Sequence, residues 1–303
     1  MAETHQGGKG RQRRERGIRI LFFCIALASI TTLALIVVFL LMEGLPIFAK
    51  VSVNDFIFGR YWYPTDEPPD FGILPLITAS LAVTAVASLI SIPLGVLTAL
   101  YLAEVASARV REWVKPIVEL LAALPSVVIG FFGMVIVAPF LQEILDIPTG
   151  LNLFNASLML AFMSIPTICS ISEDAIFSVP TELKEASLAL GATHWETIAR
   201  VIIPASISGI STAVILGMSR AIGETMVVLM VAGGATLIPT SFFDPVRPMP
   251  ASIVAEMAEA PFRSDHYYAL FATGIVLFAF TFLFNLIADH ISHKYRQVGA
   301  ATL

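Results

Sequence analysis

An all-α, polytopic membrane protein with six transmembrane helices is the fold class this sequence predicts, on three observations. Of its 303 residues, 57% are hydrophobic and only 14% are charged, a balance outside the range of water-soluble globular domains. Six apolar runs reach the roughly twenty residues that a hydrocarbon core requires. The charged residues fall mostly in the tails and connections, so the net charge of −5 excludes little by itself.

A basic cytoplasmic tail is expected over residues 1–19, followed by one membrane domain over 20–303. Lys9, Arg11, Arg13, Arg14, Arg16 and Arg19 precede the apolar run Ile20–Met42. That run is too long for a signal-peptide core and no clear small-x-small cleavage site follows, so it reads as a first transmembrane helix that stays. Basic clusters can bind nucleic acid, but beside a membrane span they more often set topology. No nucleic-acid partner is expected.

Glu43 to Gly72 is rich in proline and aromatic residues, among them Phe56, Phe58, Tyr61, Trp62 and Tyr63. It reads as a cap at the membrane interface, where Tyr and Trp are favoured, with a partner platform as the sharper alternative. Core helices are expected between residues 73 and 287, as Ile73–Leu102, Val114–Phe140, Phe154–Ile171, Ser206–Val231 and Tyr268–Ile287. Pro93, Gly95, Pro125, Gly130, Gly133 and Pro166 punctuate them. Such residues are tolerated in membranes when neighbouring helices or a cavity satisfy the freed backbone groups, which argues for a bundle around a path. Ala251–Ala260 reads as a short helix dipping toward the membrane. Cys24 and Cys169 read as small buried apolar residues.

Orientation follows from Lys and Arg. With the N-terminus in the cytoplasm, thirteen of them fall inside, four outside and Arg220 within a span. That asymmetry assigns both termini, and the segment 181–204, to the cytoplasmic side of the membrane.

The stretch from Glu185 to Pro204 is polar and helix-prone although it lies between two apolar spans. Glu182 and Glu185 follow Thr181, where negative charge suits a helix N-terminus. Leu183, Ala186 and Leu190 form an apolar stripe. Gly191 breaks the pattern, and Thr193 to Arg200 can start a second short helix before Pro204 interrupts it. Two short helices meeting at a glycine make an exposed knob. The spacing of Glu185, Ala186, Ser187, Gly191, Val201, Ile203 and Pro204 resembles the cytoplasmic signature of ABC-transporter permease subunits. The resemblance implies docking in a groove of a separate ATPase subunit, through Glu185, Ala186, Gly191, Thr193, His194, Trp195 and Glu196. An amphipathic helix resting on the bilayer is the alternative.

Within the fifth span, Gly217-Met218-Ser219-Arg220-Ala221-Ile222-Gly223-Glu224-Thr225 places two charges where each costs about 2.5–3.5 kcal/mol to insert. Standing four residues apart, Arg220 and Glu224 are expected to share a helix face and pair. Arg220 offers a planar fork matched to a phosphate-like oxyanion. Glu224 is expected to hold that fork, or to accept a proton from the oxyanion. A structural ion pair is the alternative. Ser219 and Thr225 complete the candidate substrate pathway.

A narrower resemblance joins these readings. Glu119-Leu-Leu-Ala-Ala-Leu-Pro-Ser-Val-Val-Ile-Gly130, Arg220-Ala-Ile-Gly-Glu-Thr-Met226, Ser252 through Ala260, and Trp195 with Glu196 look like the phosphate-specific PstC-type permeases. What this implies is a type I ABC importer permease fold that passes inorganic phosphate inward across the inner membrane. It also implies a heterodimer with a PstA-type permease, two PstB-type ATP-binding subunits and an external PstS-type phosphate-binding protein. Family roles carry over to Arg220 and Glu224. A PstA-type identity, or a permease for molybdate or sulfate, keeps the same architecture.

No G-x-x-x-x-G-K-[ST] loop occurs, so no cofactor is expected in this chain; ATP and Mg would be bound by the partner ATPase subunits. There is no H-E-x-x-H or CxxC, and His290 and His293 alone read as tail residues rather than metal ligands. No catalytic residue and no metal site is expected, and the chain reads as a transport subunit rather than an enzyme. A secondary transporter working without an ATPase is the rival from another class, and it predicts a dispensable knob.

Overall fold

In a bilayer every backbone N–H must be bonded internally, so long apolar runs become helices. The computed structural model describes residues 7–300, with side chains described over 15–287 and at Asp289 and His290. The side chains of Lys9, Arg11, Arg13, Arg14, His293, Lys294 and Arg296 lie outside the described residues. Among the described residues six helices are long and apolar enough to cross a membrane: Glu15–Ala49, Leu74–Val105, Ser126–Leu145, Leu153–Phe177, His194–Ile222 and Asp265–Ile287.

Helix α1 (Gly7–Gly44) runs through a 3-10 turn (Leu45–Ala49) into a small cap. The cap holds α2 (Val53–Phe58) and the antiparallel pair β1 (Trp62–Tyr63) and β2 (Asp70–Phe71), with Trp62 opposite Phe71. Helix α3 (Leu74–Leu100) leaves the cap and ends in a π-turn (Tyr101–Val105). The chain returns through α4 (Ala108–Ala122), α5 (Ser126–Phe132), a second π-turn (Gly133–Val137) and α6 (Ala138–Leu145). Helix α7 (Leu153–Phe177) leads back to the knob, built from α8 (Thr181–Ala189) and α9 (His194–Thr197). A third π-turn (Ile198–Ile202) opens α10 (Ile203–Ile222), followed by α11 (Met226–Val231), α12 (Met249–Met257) and α13 (Asp265–Ala300).

Helix α7 is the axis of the bundle, packed between α3 and α10. Ile168 explains the close fit. A Cβ on Gly95 of α3 would lie 2.8 Å from its Cγ2, and one on Gly217 of α10 would lie 2.5 Å from its Cγ1. Small residues at a crossing let helices approach closely. By contrast α1 is exposed from residue 15 to residue 36 and joins the chain at its cap end. There Gly44 meets Ile275 and the backbone of Ala272, and Phe39 packs edge-on against Phe271.

Four expectations change in detail. The third expected span is split: α4 ends at Ala122 and α5 starts only at Ser126, because Pro125 disfavours helical geometry at Leu124. The fifth is split as well, at Gly223–Thr225. At its other end Pro204 does not interrupt the helix. The wider π-turn before α10 absorbs the hydrogen bond that proline cannot make. Within the cap Phe56, Trp62 and Phe71 are buried, while Phe58, Tyr61 and Tyr63 are exposed. Cys169 is buried, but Cys24 lies on the exposed surface of α1.

Candidate functional site

The knob is assembled by local chemistry. After α8, Gly191 takes φ +85°, a conformation L side chains rarely adopt. Its N–H donates to Leu188 O and the Ala192 N–H to Ser187 O, the paired bonds of a Schellman ending. Thr193 and Glu196 then start α9 as a reciprocal capping box. The Thr193 N–H donates to Glu196 Oε2 at 2.8 Å, and the Glu196 N–H donates to Thr193 Oγ1 at 3.3 Å. The T-x-x-E spacing is the sequence signal for that box.

Glu185, Ala186, Gly191, Thr193, His194, Trp195 and Glu196 are all exposed on this knob. So are Leu183, Leu188 and Leu190, the last 90% exposed. The expected apolar stripe therefore faces outward. Exposed apolar side chains between polar ones mark an interaction surface.

At the other candidate site the expected geometry is corrected. Helix α10 ends at Ile222 with Gly223 as its C-cap, so Arg220 lies in the last turn and Glu224 beyond the helix. They form no ion pair. Glu224 Oε1 instead accepts from the N–H groups of Met226, at 3.1 Å, and Val227, at 3.3 Å. It caps α11 from beside its first turn, where an acid suits the helix dipole. The same side chain borders a small cleft with Ser80, Thr84, Leu160, Ala221 and Val228.

Arg220 points elsewhere. Thr212, Leu216 and Arg220 succeed one another on an exposed stripe of α10. Among the described residues nothing is hydrogen-bonded or ion-paired to the guanidinium. The C-terminal end of α10 favours a cation there without an acidic partner. Ser219 turns to the last helix, its Oγ donating to Asn285 Oδ1 at 2.6 Å. Thr225 is the N-cap of α11, its hydroxyl 3.4 Å from Gly223 O. The four pathway residues thus sit at one break in the bundle but face different neighbours.

Sequence reasoning missed a third constellation, in the cap. Glu256 of α12 has its side chain 12% exposed, accepts from three groups and touches a fourth. Arg247 Nη1 donates to Oε1 at 2.6 Å, Ser252 Oγ to Oε1 at 3.1 Å, and Trp62 Nε1 to both oxygens at 3.0 Å. His266 Nε2 lies 2.8 Å from Oε2. Arg247 and Glu256 are nine positions apart in the sequence, but Trp62 stands 194 positions from Glu256, and no local pattern connects them. Nearby, Asp244 accepts from the Thr240 and Ser241 N–H groups at 2.8 Å. Those bonds, with the Thr240 hydroxyl, hold its carboxyl below the usual aspartate range.

The protein family described as binding-protein-dependent transport system inner membrane component matches residues 91–297. A probable ABC transporter permease protein of Bacillus subtilis, YqgH, is 39% identical over 290 residues, 94% of each chain. The phosphate transport system permease protein PstC of Mesorhizobium japonicum is 36% identical over 256 residues, 78% of this chain and 77% of that one. Among solved structures, a bacterial alginate ABC transporter, in complex with alginate pentasaccharide-bound periplasmic protein, aligns over 94% of this chain and 97% of the matched chain. Its TM-score is 0.66 at 17% identity, a likeness of fold.

Proposed function

The chain belongs to the binding-protein-dependent transport system inner membrane component family, and from that premise we propose that it forms the path for inorganic phosphate in an ABC importer. It is a multi-pass permease subunit of the inner membrane, with the type I importer fold, and works with ATPase and binding-protein partners. Relatives named as phosphate transport permeases support the cargo. The observation that carries the reading is the Arg220 guanidinium, without a hydrogen-bond or ion-pair partner among the described residues, on an exposed face of a membrane-spanning helix. A charge so placed is expensive unless it serves a polar path, and its fork matches a tetrahedral oxyanion.

In this reading a PstA-type permease covers the stripe Thr212–Leu216–Arg220 and completes the path. Two PstB-type subunits bind ATP and Mg below, one of them against the knob at 181–204, and a PstS-type protein delivers phosphate to the cap. Both termini face the cytoplasm. ATP-driven closure of the ATPase pair moves the knob and reorients the bundle, and phosphate released above meets Arg220. Glu224 keeps the break between α10 and α11 in shape, which holds Arg220 at the path. Ser219 and Thr225 brace the same break.

The test is radiolabelled phosphate uptake by the whole complex, challenged with excess molybdate or sulfate. Uptake that depends on ATP and resists both competitors supports the reading. Efficient competition by either oxyanion reassigns the cargo, and uptake without ATPase subunits overturns the class.

A further inference from the structure

Helix α8 of the knob has no buried residue, so packing alone does not fix its position. Among the described residues two side-chain hydrogen bonds tie it down. Ser187 Oγ and Thr197 Oγ1 lie 2.9 Å apart, joining α8 to α9. Lys184 Nζ donates to Glu104 Oε1 at 2.5 Å, joining α8 to the π-turn that ends α3. The second contact spans 80 positions of sequence. It is also sheltered, with side chains 22% exposed at Lys184 and 7% at Glu104.

The π-turn is held from another side too. Arg111 of α4 donates from Nε to Leu102 O at 2.8 Å and from Nη2 to Ala103 O at 2.6 Å, satisfying carbonyls at the end of α3. Its Nε lies 4.0 Å from Glu173 of α7. The turn is therefore a rigid fixture rather than a frayed end. From it α3 runs along α7, through the contact of Gly95 with Ile168, to Ser80 and Thr84 on the wall of the cleft that Glu224 borders.

We propose that the Lys184–Glu104 ion pair is the mechanical tie that makes α3 follow the knob, so that displacement of α8 by the ATPase is delivered to the Glu224 cleft. Both are positioning residues: neither touches cargo or nucleotide. A shielded, charge-assisted bond of this length resists being pulled apart, whereas an exposed helix without it swings on its Gly191 end and its loop. The inference rests on the importer reading above.

The experiment is phosphate moved per ATP hydrolysed, measured in proteoliposomes of the complete complex. Wild type is compared with Glu104→Gln, Lys184→Met and the exchanged pair Glu104→Lys with Lys184→Glu. Capture of the ATPase subunits is measured in each. Because Lys184→Met strands the sheltered Glu104 carboxylate, the unfolding midpoint of each variant is measured as well, and the exchanged pair, which keeps the two charges matched, carries the test should either single variant fail to assemble. The tie predicts that Lys184→Met lowers phosphate per ATP at least tenfold while ATP hydrolysis stays within twofold, and that the exchanged pair recovers most of the ratio. A Lys184→Met complex that keeps the wild-type ratio, or that loses hydrolysis and uptake in proportion, overturns the proposal. An exchanged pair that recovers nothing also overturns it. Absence of ATP-driven uptake in wild type sinks the importer reading instead, so the two failures are distinguishable.

Discussion

Arg220 and Glu224 stand four residues apart but do not meet: the helix carrying the arginine ends at Ile222, and the glutamate turns to the first N–H groups of the next helix. An ion pair would neutralise the guanidinium and turn it into a brace. Their separation leaves the guanidinium without a partner among the described residues, on the exposed stripe of α10, and gives the carboxylate a separate task at the break.

Gly191 tests the knob without touching its surface chemistry. A Cβ there meets nothing within 4 Å, yet φ is +85°, so a branched side chain costs about 1–2 kcal/mol through the backbone alone. Gly191→Val is expected to insert normally but to capture the ATPase subunit roughly tenfold less well. Gly191→Asn, which tolerates this conformation, is expected to lose much less. Equal capture by all three proteins, read by pull-down and titration, contradicts docking through this turn.

Gly217 and Ile168 test the packing of the axis. Ile168 is fully buried and wedged between two glycines, so it has little room to yield. Gly217→Ala is expected to lower stability by about 1–3 kcal/mol through overpacking, seen as a lower unfolding midpoint in detergent. Adding Ile168→Val should recover part of that loss, since the two changes act on one contact. Additive losses in the double variant count against the account.

How much of this was legible beforehand differs by element. The six spans follow from apolar length alone, and the knob from Gly191 and the T-x-x-E of Thr193–Glu196, because both are local signals. The two breaks were not placed. Pro125 ends a helix but Pro93, Pro116 and Pro166 sit inside helices, and the difference lies in what neighbouring elements can satisfy. Helical periodicity paired Arg220 with Glu224 because it presumes a helix that continues. The Glu256 cluster was invisible for another reason: its members come from the cap strand, the loop before α12, and the start of α13.

Glu256 tests that cluster. Glu256→Gln removes the charge that Arg247 and Trp62 address, and hydrogen bonds to charged groups are worth about 1.5–3 kcal/mol. The variant is expected to unfold at a lower temperature, with a shifted Trp62 emission as the cap loosens. An unchanged midpoint and spectrum would show that the cap is held by its apolar residues alone.

The most direct test of the central claim is radiolabelled phosphate uptake by the assembled complex, comparing wild type with Arg220→Gln and Glu224→Gln, with ATPase capture measured in each. The account predicts at least a tenfold loss for Arg220→Gln with capture intact. It predicts a smaller loss for Glu224→Gln, whose amide oxygen can still accept from the Met226 and Val227 N–H groups. Undiminished uptake by Arg220→Gln would contradict it, leaving Arg220 a structural charge and removing it from the phosphate path.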